Sequence, residues 1–479
     1  MRTAGLHGRY HMVLYSTVSS KSLRRGTLGG ALAIGVITGM SLSAFAGVSE
    51  SEAARLDVDL TPMGAERAGN AAGTIPAWTG GISSPPANVT YAAGDHHADP
   101  FPDDGILMTI TGENAASHAD NLTPGQMAIL NTYGTYKMNV YQTRRSCAFP
   151  ETVYAANRQN ALNSTLVADG NGVDGALLGT PFPIPSEGVQ IVWNHNLRYR
   201  GHKLTRQFSA FAPTVSGDFT PIVVQDKVIF PYADPTMETT ADINNISLKY
   251  IQTVVSPARR AGEIILVHDT VNQVAGPRNA WSYSPGTRRV RRAPTIAYDN
   301  PQSYSEGLQT ADNFDLFNGS PDRYTWELQG KRENYIAYNS YRLSSDQLTY
   351  DEISQDRHID QDLVRYELHR VWQVEGILRE GQRHIYSRRV KYFDEDSWTM
   401  AAADLYDARG GLWRVQEAHM IQYYDVPICT NASEMIYDLD VGRYVIQGLK
   451  NQEPMINFFA DELNDDEFTP AGVRASASR

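Results

Sequence analysis

The stretch Arg365–Met420, RYELHRVWQVEGILREGQRHIYSRRVKYFDEDSWTMAAADLYDARGGLWRVQEAHM, decides how the rest of the chain is read. Trp372, Val374 and Leu378 fall on one side of an extended segment while Gln373 and Glu375 fall on the other, the period of two that marks a strand. Glu380-Gly381 turns the chain into a second segment, Arg383 to Phe393. Asp394-Glu395-Asp396 turns it again, and Asp407 to Gly411 a third time before Leu412 to Met420. Gly supplies positive φ, and Asp the side-chain acceptor, that tight turns need. Strands joined by such short connections pair antiparallel; parallel pairing would need helical crossovers, for which there is no room.

The same signal runs outward in both directions. Ile246, Leu248, Tyr250 and Val254 alternate with Ser247, Lys249 and Thr253, and Trp281 and Tyr283 alternate with Ser282 and Ser284 before the turn Pro285-Gly286. Upstream of about residue 203 the pattern changes. Thr123 and Pro124 read as the cap and first residue of a short helix over 123–133. Residues 151–168 have few breakers and predict a second helix, and Val189 to Leu197 a third, carrying Trp193; Gly179 to Pro185 between them is an irregular bridge. Gly and Pro crowd residues 61–104, so that stretch is an extended arm, with Ile75 and Trp78 to pin it to a surface. The expected organisation is a leader (1–46), the arm (47–104), a helical segment packing on the sheet (105–200), an antiparallel sheet domain (201–460) and an acidic, flexible tail (461–479).

The first 46 residues hold Arg2, Arg9, Lys21, Arg24 and Arg25 and no carboxylate. An apolar stretch, Leu28 to Phe45, follows and ends in Ala44-Phe45-Ala46, the small-x-small pattern of a signal-peptidase site. Cleavage after Ala46 would release a chain into a bacterial periplasm, with no Cys beside the cut for lipid anchoring and no further apolar run near the ~20 residues of a membrane span. Arg24-Arg25 keeps the twin-arginine route open beside the general one, and Met12 is an alternative start. Across the 479 residues, 42 Lys and Arg face 54 Asp and Glu, a formal charge of −12 that argues against a nucleic-acid partner. Two cysteines exclude a four-thiolate metal site, and in an oxidising compartment they have one internal pairing, Cys147 with Cys429.

Motifs for chemistry fail one by one. Gly170-x-Gly172-x-x-Gly175 has the dinucleotide spacing but follows a helix-like segment and runs into prolines, where no strand-to-helix turn can form. Asp169, Asn171 and Asp174 lack the remaining oxygens of a calcium loop. No Gly-x-Ser-x-Gly or His-Glu-x-x-His occurs. Asp95-His96-His97 would diverge on the arm and be solvated, and Asp394, Glu395 and Asp396, a conceivable carboxylate pair for glycoside chemistry, sit where a hairpin turn wants Asp. No catalytic residue, metal or cofactor is therefore expected. Arg288-Arg289-Val290-Arg291-Arg292 is the densest charge; on a strand it is a solvated face neutralised by neighbouring carboxylates, or a dock for lipid phosphates or an acidic partner. The 26 Tyr and 7 Trp suit cavity walls as well as ordinary strands.

Trp281–Arg292, Tyr392–Trp398 and Leu405–Gly410 are similar to strand pairs of the periplasmic proteins that sort outer-membrane lipoproteins, the LolA/LolB-like superfamily. Leu60–Asn70, Thr74–Gly81, Gly179–Pro185, Trp193–His195, Asp315–Tyr324 and Tyr366–Trp372 resemble more closely the bacterial family named domain of unknown function 1329. These resemblances imply a mainly β (α+β) fold: a curved, half-open antiparallel sheet with helices on its concave side and a long irregular N-terminal arm. They also imply a non-catalytic carrier of a lipid or other hydrophobic molecule, working without cofactor, with a resistance-nodulation-division type exporter or an outer-membrane protein as partner. On that reading Trp281, Tyr283, Trp326, Tyr335, Trp372 and Trp413 are expected to supply part of the lining of a hydrophobic cavity. A hydrolase or isomerase acting in the same cavity, or a structural subunit of an envelope export complex, are the rival readings.

Overall fold

Two antiparallel meanders are stitched into one sheet by the last strand of the chain. The computed structural model describes residues 47–294, 296 and 298–477; the leader read over 1–46 lies outside them. The first meander is β1 (Lys203–Phe211), β2 (Ile222–Ile229), β3 (Ile246–Ser256), β4 (Ile264–Thr270), β5 (Asn279–Ser284) and β6 (Arg289–Arg292), each paired with the next. The second is β7 (Tyr324–Ala337), β8 (Tyr366–Leu378), β9 (Arg388–Asp394), β10 (Met400–Tyr406), β11 (Leu412–Tyr423), β12 (Ile428–Asp438) and β13 (Arg443–Leu449). β13 then pairs antiparallel with β1 through Ile446↔Phe211 and Leu449↔Ser209. With the short strands Met108–Ile110 and Met138–Val140 beside β8, the sheet has 15 strands. It ends at β6 on one side and, on the other, at β7, which pairs with β8 alone, and at the short strand Met108–Ile110, and so stays half-open.

The turns form where their chemistry placed them. Gly381 and Gly410 take positive φ (78° and 82°), and the Asp407 carboxylate accepts the amides of Arg409 and Gly411. Two element limits differ from the sequence reading. The ladder of β9 begins at Arg388, not Arg383, because Asp312 and Asp299 draw His384 and the Ile385 amide away from it. The second helix stops at Asn163: Thr165–Val167 pairs with Gly172–Asp174 as a hairpin, turned by left-handed Ala168, Asp169 and Gly170.

Helices α1 (Pro124–Thr132), α2 (Glu151–Asn163) and α3 (Gly188–Leu197) precede the sheet. Thr123 caps α1 reciprocally with Gln126. α3 packs on β7 and β8, with Ile191 and Val192 in the largest core cluster. The arm follows the surface with little regular structure and is held by polar contacts: Arg145 and Arg370 donate to the carbonyls of Arg67, Pro76, Glu66 and Ala68, and Trp78 donates to Cys147. Residues 461–477, expected as a free tail, are packed instead. Leu463, Phe468 and Val473 of this segment, which ends in α4 (Pro470–Ser476), cover the outer face of the first meander. Their burial repays the ordering entropy that a purely acidic tail could not. Cys147 and Cys429 are joined, Cα atoms 5.2 Å apart, as their pairing predicted.

Candidate functional site: a cavity between the first meander and the third helix

Register sets the wall. Leu204, Val228, Tyr250 and Val267 stand opposite one another across β1–β4, and Arg206, Asp226, Gln252 and Ile265 form the next row two residues along. Side chains two apart share a face, so both rows point to the same, concave side. The end of α3, through Leu197, Arg198 and Arg200, together with Ile296 and residues 300–319, roofs it, and β12–β13 contribute Thr430–Glu434, Gln447 and Gly448. The cavity, partly open to solvent, measures ≈280 Å³, at the lower edge of the ~300–1,000 Å³ of ligand pockets. Leu248, Phe230 and Phe458 extend its apolar part.

One end is charged. Asp315 takes Arg198 on one carboxylate oxygen (2.5 Å) and Arg200 on the other (2.7 Å). Asp226, wholly buried, accepts from Arg206 (2.8 Å), the Tyr250 hydroxyl (2.8 Å) and Gln252 (3.2 Å). Asp315 and Leu316 both sit at left-handed φ (58° and 55°), a conformation costly for residues other than Gly. It turns their two amides toward Glu434, which accepts them at 3.0 and 2.8 Å together with Gln447 (2.6 Å). Burial, and the neighbouring Asp315 charge, push the Glu434 carboxyl up to about 7. Burial opposes ionisation of Asp315 as well, yet Arg198 and Arg200 hold it well below the usual carboxylate range. Burial raises Asp226 against the pull of Arg206.

The six aromatics expected in the lining lie elsewhere. Trp281 and Tyr283 pair with Leu266 and Ile264, on the outer face that the C-terminal segment covers. Trp326 packs on Phe317 and Tyr324, Trp372 lies parallel to Trp398, Trp413 packs on Tyr386, and Tyr335 joins the cluster beneath α1. Alternation identifies which residues share a face, not which face meets the cavity. Leu248 and Tyr250, singled out by their alternation, do line it; the charged members Arg198, Arg200, Arg206, Asp226 and Asp315 carried no apolar signal. Arg288, Arg289, Arg291 and Arg292 stand on the open edge formed by β6, and no described carboxylate pairs with them; Arg292 donates to Asn279 and lies over Trp281.

A second polar cluster lies under the arm. Asp394, Glu395 and Asp396 do form a turn, but a buried one: Arg145 binds Asp396 through two nitrogens (2.6 and 2.9 Å), and Arg370 and Lys331 take Glu395. His369, Asp394 and Asp396 offer ligand atoms within 4.8 Å of one another, but Arg145 already neutralises Asp396. His96 and His97 diverge as expected, to the Glu453 carbonyl and to Asp425 (2.7 Å), though His97 is buried rather than solvated. The Trp193-Asn-His195 motif has structural partners: the Gly170 carbonyl, the backbone of Phe182 and the Asp315 carbonyl.

Residues 109–474 match the family described as "Protein of unknown function (DUF1329)". "Uncharacterized protein PA3922" of Pseudomonas aeruginosa PAO1 is 45% identical over 446 residues, 92% of this chain and 96% of that protein. Among solved structures, similarity extends to a domain of Vibrio parahaemolyticus assigned to outer membrane lipoprotein sorting (14% identity, 60% of this chain, 98% of that one, TM-score 0.41). It extends also to a DUF1329 family protein of Desulfovibrio piger (14%, 57% and 92%, TM-score 0.38) and LolA superfamily protein NE2245 of Nitrosomonas europaea (12%, 60% and 98%, TM-score 0.37). The extent of the family match and the identity to the Pseudomonas protein agree: this chain belongs to the DUF1329 family.

Proposed function

We propose that this protein is a non-catalytic carrier that holds a lipid or other hydrophobic molecule in the cell envelope after export. The observation that carries the reading is the ≈280 Å³ cavity walled by Leu204, Val228, Leu248 and Val267, apolar surface that the fold leaves facing a partly open space. Exposing such surface to water costs ~25 cal/mol per Å², so a ligand that covers it is stabilising. The Asp226 and Asp315 carboxylates there are engaged in ion pairs, and among the described residues no His or Cys lines the wall, which favours binding over catalysis. Cargo passed to an exporter or an outer-membrane protein needs a docking surface, and the basic edge formed by β6 suits lipid phosphates.

Native mass spectrometry of protein taken from its own periplasm tests the reading directly, and a co-purifying hydrophobic adduct is the expected result. Val267→Trp, which fills the cavity, should remove the adduct and leave the far-ultraviolet spectrum unchanged. Protein that carries no adduct and binds no apolar fluorescent probe would overturn the proposal.

A further inference from the structure

The charged end of the cavity is not balanced. Arg278 is matched by Asp269, and Arg206 by Asp226, whose second oxygen is occupied by Tyr250 and Gln252. That leaves Arg198 and Arg200 to share the single carboxylate of Asp315. Each guanidinium offers five donors. Arg198 spends the rest on the His195 carbonyl (2.6 Å) and a long contact to Thr430 (3.5 Å), Arg200 on the Asn196 carbonyl (3.1 Å), and the Nε of each is buried without an acceptor. The Arg198 side chain has no exposed surface at all. Asp269 also acts on Arg200 but is paired with Arg278, and Glu434 is filled by the Asp315 and Leu316 amides and by Gln447, with burial pushing it up to about 7, where it is a poor counterion. Burial, and the Arg198 charge beside it, push Arg200 down to about 10, the mark of a cation short of anions. A buried cation without a full partner destabilises the fold unless something else supplies the missing charge.

Position says what supplies it. Arg200 lies over the ring of Phe230 (4.8 Å) and Arg206 over that of Phe208 (5.0 Å), so the two guanidinium groups flank the apolar Leu204–Val228 pair of β1 and β2. A head bound there would send its tail along Leu204, Val228 and Val267. Building on the carrier reading above, we infer that the cargo is a single-chain amphiphile with an anionic head, a carboxylate or a phosphate, seated on Arg200, with Arg198 buried behind it as a second positive charge. Guanidinium binds both anions in the same bidentate way, so the shared chemistry is what the geometry selects.

Delipidated full-length mature protein titrated at pH 7 with dodecanoate, dodecyl phosphate and dodecanol tests this, because the three share one tail and differ in head. At least one of the anions should bind about tenfold or more tighter than the alcohol, the range of one hydrogen-bonded charge contact. A preference for dodecyl phosphate over dodecanoate supports the anionic head and assigns it to phosphate. Arg200→Gln leaves Asp315 paired with Arg198; it should weaken the anion about tenfold and leave dodecanol within about twofold. Equal binding of alcohol and anions by the unmodified protein, a comparison that needs no variant, would overturn the anionic head while sparing the carrier. Failure of all three to bind would overturn the carrier reading and this inference with it.

Discussion

Replacing both Cys147 and Cys429 by alanine should cost the fold 3–5 kcal/mol, taking ~2–5 kcal/mol as typical for lost native disulfides. The bond closes a loop of 282 residues, for which chain-entropy theory gives about 5.5 kcal/mol at 25 °C. Measured losses usually fall below that ceiling because the unfolded chain keeps some structure. Alanine at 147 adds a second cost, because the buried Tyr338 hydroxyl donates to the Cys147 sulfur (2.7 Å) and would lose its acceptor, about 1–3 kcal/mol. Both residues are buried, their Cα separation lies inside the usual disulfide span, and Cys147 keeps its carbonyl contact to Trp78 whatever its side chain. What disappears is the tie between the segment leading into α2 and β12. Urea unfolding of the oxidised protein and of Cys147→Ala/Cys429→Ala, in one buffer, reads the difference, and Cys429→Ala, which leaves the sulfur that Tyr338 donates to, isolates the lost cross-link. A loss below ~1 kcal/mol would refute the reasoning, as would two free thiols titrating in denatured protein taken from the periplasm.

Mass spectrometry of the exported protein should find Gly47 at the N-terminus; an intact Met1 or Met12 in the inner membrane would refute the leader reading. Arg206→Met should destabilise by ~3–5 kcal/mol because it strands buried Asp226, and Arg206→Met/Asp226→Leu should recover much of the loss in thermal melts. Burial pushes the Asp404 carboxyl up to about 7 against hydrogen bonds from Tyr392, Thr123 and Gly125. The folded state then keeps a proton that the unfolded chain releases near pH 4, so this group's stabilisation is full below that and falls by ~1.4 kcal/mol per pH unit as pH rises toward 7. The stability of Asp404→Asn relative to the parent should rise by about 2 kcal/mol between pH 5 and 6.5 in urea titrations, and no change would refute the assignment. Serine at Arg288, Arg289, Arg291 and Arg292 should abolish salt-sensitive flotation with phosphatidylglycerol vesicles and leave it unchanged with neutral ones; flotation that survives the change would remove this edge as a dock.

Local chemistry was readable wherever one side chain decides the outcome. Asp407 with Gly410, Thr123 with Pro124, and the lone pair of cysteines each determine their own geometry. What escaped depends on residues far apart in the chain. Every residue of β10 is buried, so the period of two that marks a half-buried strand carries no face information there. Asp394–Asp396 read as an exposed turn because Arg145, some 250 residues away, is what neutralises them. Trp281 and Tyr283 have the right alternation and the wrong face, a choice made by the C-terminal segment that covers them. Arg206 and Asp226 lie on an inward row, where a sequence rule that sends charge outward would never place them; only the register of β1 on β2 sets one opposite the other.

The order of elements accounts for where the cavity lies. α3 buries Ile191 and Val192 in the core of the second meander and passes directly into β1, across the seam where β13 meets it. Ten residues of helix reach ~15 Å, too short to cover the inner face of β1–β4 as well. The rest of the roof comes from residues 300–319, which arrive from the opposite edge after β6. The two halves of the roof meet at Asp315, which Arg198 and Arg200 hold from the helix side while its amide, and that of Leu316, rest on Glu434 of the sheet. The roof is therefore joined by ion pairs as well as by apolar packing, in which Leu316 and Phe317 share a core cluster with Ile191 and Val192. An anion seated on Arg200 competes with Asp315 for the guanidinium that closes the join, so occupancy of the cavity and closure of its roof draw on the same cation.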